Sequence, residues 1–87
     1  PEVIVAALAL NPGMSVADIG AGTGYMVSRL SKAVGEDGMV IAIDTSSEMV
    51  KYLSDRAVEL GPAKIHPKHV GYDDPELQPD SVDRVLT

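Results

Sequence analysis

Asp18, Gly20, Gly22 and Gly24 occupy alternate positions, and Asp44 lies 20 positions beyond the last glycine. A glycine-rich turn between a buried strand and a helix lets the backbone approach a ligand closely, and it aims amide donors from the helix N-terminus. An acid ending the next strand faces that turn across the top of a parallel sheet, where its carboxylate can accept both hydroxyls of a ribose. Each feature alone has an ordinary explanation, a tight turn for the glycines and a favourable helix dipole for the acid. Their order and spacing together point to a ribose-bearing ligand at the carboxyl ends of the strands. The dinucleotide fingerprint G-x-G-x-x-G is not met, because Tyr25 or Val27 stands where the third glycine belongs, and no G-x-x-x-x-G-K-[ST] phosphate loop is present. The pattern that stands is D-x-G-x-G-x-G.

Other chemistries find less support. There is no Cys, which removes disulfides, thiolate metal sites and a cysteine nucleophile. His66 and His69 are three apart but flank Pro67, which favours extended chain and turns the two rings to opposite faces, so no metal site is expected. Ser15, Ser28 and Ser31 lack the G-x-S-x-G setting of a serine nucleophile. The acids of residues 73–83 lack the glycine-centred loop of a calcium site and read as a solvated acidic loop. Seven Lys and Arg against 13 Asp and Glu give a net charge of −6, the wrong sign for tracking nucleic-acid phosphates. The apolar runs, such as residues 3–10, fall far short of the ~20 residues of a membrane span.

The elements that must position these residues follow from punctuation and periodicity. Residues 3–10 read as a short helix closed by Asn11, Pro12 and Gly13. Residues 14–19 are a brief apolar run, the mark of a strand covered on both faces, and residues 25–34 place Met26, Val27, Leu30, Ala33 and Val34 at helical spacing. Residues 39–43 form a second buried strand ending at Asp44. Thr45 with Glu48 matches a capping box, opening a helix whose apolar face runs from Met49 to Leu60 before Gly61 and Pro62 stop it. Residues 65–70 suggest a third strand broken by Pro67, and Val82, Val85 and Leu86 a fourth. Strands alternating with helices imply right-handed crossovers and a parallel α/β sheet.

With these elements in place, residues 16–24 (VADIGAGTG) resemble the first motif of class I S-adenosylmethionine-dependent methyltransferases, Asp44 matches the acid ending that family's second strand, and residues 71–83 resemble its adenine-side loop. The resemblance spans essentially the whole chain. It implies a Rossmann-like sheet of about four strands in the order 3-2-1-4, with helices on both faces, a truncated three-layer sandwich. It further implies S-adenosylmethionine as cofactor. Asp18, Gly20 and Gly22 would border its methionine part, Asp18 through the ammonium, with Ala21 and Gly24 also among the cofactor-binding residues, and Leu86 and Thr87 would lie near the methionine end. Asp44 would hold the ribose, Thr45 would pack on the adenine, and Asp73 or Asp74 would accept from the adenine amino group. Two residues depart from the family pattern: Ala17 is small where a larger apolar side chain is usual, and Arg84 is charged within a strand the family keeps apolar.

Residues 1–87 are therefore expected to be a single partial domain, the cofactor half of a methyltransferase, cytoplasmic, binding cofactor without a catalytic residue of its own. A fourth strand left as a sheet edge would favour a homodimer, paired across that edge or exchanging an element. The alternatives are a half-domain acting only as a binding and self-assembling module, favoured by Arg84, and a fragment of a dinucleotide-binding oxidoreductase.

Overall fold

The computed structural model describes residues 2–22, 24–71 and 82–86. Four strands, β1 (Ser15–Ile19), β2 (Met39–Asp44), β3 (Lys64–His69) and β4 (Arg84–Leu86), form one parallel sheet in the order β3-β2-β1-β4. The two central strands bury Val16, Ala17, Val40, Ala42 and Ile43 completely. That is why both read as continuous apolar runs rather than alternating ones. Their register, Ser15 on Met39 through Ile19 on Ile43, ends with Asp44 one position beyond Ile43, beside the glycine turn.

β3 tolerates Pro67 because, among the described residues, it lies at the edge of the sheet. The amides of Lys64 and Val70 donate inward to Gly38 and Asp44, so in a parallel ladder the even-numbered residues face β2 and the odd-numbered ones face away. Proline's missing N–H thus falls on the outward row, where no ladder bond is lost.

Helices α1 (Glu2–Ala7), α2 (Tyr25–Val34) and α3 (Ser47–Arg56) pack on one face of the sheet, where Val27, Leu30, Val34 and Leu53 meet Val16, Val40 and Ala42, with Val5 and Leu8 against the same cluster. The two crossovers β1-α2-β2 and β2-α3-β3 step in the same direction, and right-handedness puts both helices on the same side. Ala17, Ile43 and Val70, with Ile19, Ile41 and Val82, make a second cluster on the opposite face. Among the described residues no helix lies there, so the helices expected on both faces are seen on one only.

Two local expectations are corrected. The helix cap is Ser46, whose hydroxyl accepts from the amide of Met49 at 3.3 Å, in place of Thr45. Asp44 causes the shift: its Oδ1 accepts the amide of Ser46 at 2.9 Å, an Asx turn that uses Thr45 as its bend and moves the helix start one residue on. Helix α3 also ends at Arg56, four residues before the expected stop, where the ladder tightens: the amide of Ala57 donates three residues back to Ser54 at 3.5 Å, and that of Glu59 three back to Arg56 at 3.0 Å. Arg84 lies on an exposed strand, and its Nε donates to the carbonyl of Leu8 at 2.9 Å. Its charge stays in solvent while it ties the turn after α1 to β4.

Candidate cofactor site

The turn from β1 to α2 is built on three left-handed glycines, Gly20 at φ +80°, Gly22 at +57° and Gly24 at +88°. Such values are costly for side chains bearing a Cβ. The glycines are not equivalent. A Cβ on Gly20 would meet nothing within 4 Å, and one on Gly22 only the carbonyl of Gly20 at 3.9 Å, so both face open space. A Cβ on Gly24 would stand 3.0 Å from Leu53 and 3.1 Å from Leu60. Gly24 therefore lets α2 start against α3, a packing reason rather than a ligand-facing one.

The described amides of the turn itself, those of Gly20, Ala21, Gly22 and Gly24, all have acceptors within the protein. The amides of Gly20 and Ala21 both donate to the carbonyl of Ile43, at 2.8 and 2.9 Å, and that of Gly24 to Ala21 at 3.1 Å. The amide of Gly22 donates to Oδ2 of Asp44 at 2.9 Å. A diphosphate needs amides aimed at it. The amides of Gly20, Ala21 and Gly22 go instead to the end of β2, so what these three residues offer a ligand is close approach.

Asp44 is half-buried and fixed at both oxygens, Oδ2 by Gly22 and Oδ1 by Ser46. Each oxygen keeps lone-pair capacity for a further donor. Its own carbonyl accepts from the amide of Val70 at 3.1 Å, and the next carbonyl, that of Thr45, lies 2.9 Å from Nε2 of His69. The side chain of Thr45 is exposed beside it.

Asp18, on β1, is 5% exposed, and its carboxyl is pushed up from 3.8 to about 6, first by burial and then by the charge of Asp44. Two carboxylates at one strand-end crevice, one of them desolvated, make a site that favours a cation. Leu86 pairs in register with Asp18 and is partly buried. Asp73, Asp74 and Thr87 lie outside the described residues. Ser46 was not anticipated as part of this site, although an Asp followed two residues later by Ser is the signature of an Asx turn leading into a cap.

A four-stranded Rossmann-like sheet thus carries, at the carboxyl ends of its strands, a glycine turn joined to a clamped carboxylate. Residues 16–87 match the methyltransferase domain family. The chain belongs to that family, whose S-adenosylmethionine-dependent members carry this fold. It is similar to a SAM-dependent methyltransferase from Aquifex aeolicus, 35% identical with a TM-score of 0.85, covering 98% of this chain and 45% of that one. It is also similar to a SAM-dependent methyltransferase from Thiobacillus denitrificans solved with S-adenosyl-L-homocysteine, 27% identical with a TM-score of 0.72, over 97% of this chain and 33% of that one. An uncharacterised 37.1 kDa protein of a Streptomyces fradiae transposon is 38% identical over 98% of this chain and 26% of its own length. The chain thus spans about a quarter of that curated relative. S-adenosylmethionine is the cofactor of these methyltransferase homologues.

Proposed function

We propose that residues 1–87 form a partial domain that binds S-adenosylmethionine, the cofactor half of a methyltransferase whose acceptor is recognised elsewhere. The observation that carries the reading is the clamp on Asp44. Its two oxygens are held by Gly22 and Ser46, so the carboxylate is preorganised before any ligand arrives and has lone pairs left for two ribose hydroxyls.

The other residues fit the same ligand. Gly20 and Gly22 leave a space that a Cβ would fill. Asp18 is a buried acid whose charge lacks a compensating cation among the described residues, and an ammonium group there would let it ionise. Thr45 stands next to Asp44 with its side chain exposed, where an adenine ring would rest, and Ala21 and Gly24 complete the turn. Asp73 or Asp74 would serve the adenine amino group. The cofactor, when bound, supplies a methyl group already activated on a sulfonium. This chain's part is to bind and orient: Asp44 holds the sugar, Asp18 the ammonium, and the glycine turn admits the backbone of the ligand.

Titration calorimetry with S-adenosylhomocysteine and, in parallel, with NAD tests the reading. Binding of the first and not of the second is expected. NAD binding without S-adenosylhomocysteine binding would favour the oxidoreductase alternative and overturn it.

A second reading, self-association, is favoured by one observation. Val85 is 42% exposed on β4, which pairs only with β1 among the described residues. Against it stands Arg84, which donates to the carbonyls of Leu8 and Asp83 but keeps its charge in solvent at the same edge.

A further inference from the structure

We infer that His69 is a positioning residue for the adenosine end of the cofactor, holding the peptide plane that orients the Asp44 carboxylate. The inference rests on the function proposed above and adds to it a residue that contacts no ligand. His69 closes β3 in register with Asp44 at the end of β2. Registered residues of parallel strands project to the same face, and alternation from Ala42 and Ile65 puts both on the helix-bearing side. Nε2 of His69 lies 2.9 Å from the carbonyl oxygen of Thr45. A carbonyl only accepts, so Nε2 carries the hydrogen and donates it.

That carbonyl shares a planar peptide unit with the amide of Ser46. The same amide donates to Oδ1 of Asp44 at 2.9 Å. A grip on one end of a rigid plane therefore fixes the other, and the imidazole sets the direction from which Asp44 receives its second hydrogen bond. The amide of Val70 holds the preceding carbonyl, that of Asp44, at 3.1 Å. The end of β3 thus fastens two successive carbonyls of the turn. Losing the ring frees the Thr45–Ser46 plane to rotate, which unlocks one carboxylate oxygen and displaces Thr45 together.

The test compares the unaltered chain with Asp44→Ala, His69→Ala and His69→Gln, the glutamine amide being a donor of similar reach. S-adenosylhomocysteine affinity should fall by about three- to tenfold in His69→Ala, the scale of one hydrogen bond, and return to within about twofold in His69→Gln. The Ser46 amide resonance should move upfield in His69→Ala, without ligand, and recover in His69→Gln. Long-range nitrogen–proton spectra of the unaltered chain should show the Nε2–H tautomer of His69, a readout that needs no variant to fold. Affinity lost in Asp44→Ala but unchanged in His69→Ala would overturn this inference alone, as would an Nδ1–H tautomer or a loss that glutamine does not restore. No binding by the unaltered chain would overturn the proposed function, and this inference with it.

Discussion

The amide of Gly22 donates to Oδ2 of Asp44 at 2.9 Å, so the glycine turn after β1 and the acid ending β2 form one hydrogen-bonded unit. Each holds the other in place. The glycine supplies a left-handed bend with no side chain in the way, and the acid anchors the amide that the bend exposes.

Replacing Asp44 by Ala removes the acceptor of two backbone amides and the acceptor proposed above for the ribose hydroxyls. Cofactor affinity should fall by roughly 1–3 kcal/mol, the scale of hydrogen bonds to a charged group. Calorimetry with S-adenosylhomocysteine reads the change directly, and equal affinities would remove Asp44 from the site.

Asp18 sets a conflict between stability and binding. Its folded-state value, about 6, lies above its ordinary 3.8, so the stability it contributes is greatest below pH 3.8, where it is protonated in both states, and is lost as pH rises through 6. At neutral pH the buried charge costs on the order of 2–3 kcal/mol. Asp18→Asn should therefore denature at higher urea than the parent at pH 7.5, with the gap closing toward pH 4. The same variant should bind S-adenosylhomocysteine more weakly. The parent's affinity should rise with pH up to about 6 and then level off as Asp18 becomes ionised before the ammonium arrives. A flat pH profile from 5 to 8 would remove Asp18 from the ligand.

The glycines should separate by assay. Gly22→Ala places a Cβ in open space at a left-handed φ, costing about 1–2 kcal/mol of stability while blocking the cofactor. Gly24→Ala adds crowding against Leu53 and Leu60 and should cost about 2–4 kcal/mol, with cofactor affinity retained by whatever fraction stays folded. Urea denaturation and cofactor titration of both variants give the two-by-two comparison. A stable Gly24→Ala that cannot bind would restore Gly24 to the ligand-facing surface.

The cap of α3 is a third point of contrast. Ser46→Ala removes the acceptor for the amide of Met49 and should destabilise by about 1 kcal/mol, whereas Thr45→Ala should leave stability within about 0.5 kcal/mol. Thermal melts of the pair decide which residue caps the helix.

Self-association through β4 predicts a concentration-dependent sedimentation coefficient that Val85→Lys abolishes, since a charge at an exposed edge opposes pairing. A single monomeric species across micromolar to millimolar concentrations would reject the edge as an interface.

Much of this architecture was legible from residue types. The apolar runs ending at Ile19 and Asp44 marked the central strands because burial on both faces leaves no alternation, and the span Tyr25–Val34 carries helical spacing from end to end. What escaped was short-range polar geometry. Thr45 and Glu48 satisfied a capping pattern, yet the Asp44 carboxylate claimed the amide of Ser46 and moved the cap, a competition that spacing alone does not decide. The role of Gly24 was hidden for a different reason. Its neighbours Leu53 and Leu60 come from residues far along the chain, and a motif read locally assigns all three glycines to the ligand. His69 carried no sequence signal beyond the excluded metal pair, because its partner, the carbonyl of Thr45, is a backbone atom brought near by strand register.

The most direct test of the central claim, that the glycine turn and Asp44 seat S-adenosylmethionine, is a nitrogen–proton correlation spectrum of the labelled chain titrated with S-adenosylhomocysteine. The largest shifts should fall on the amides of Gly20, Gly22 and Ser46 and on residues flanking Asp18, all saturating with one affinity. Saturating shifts elsewhere, with those amides unmoved, would contradict it.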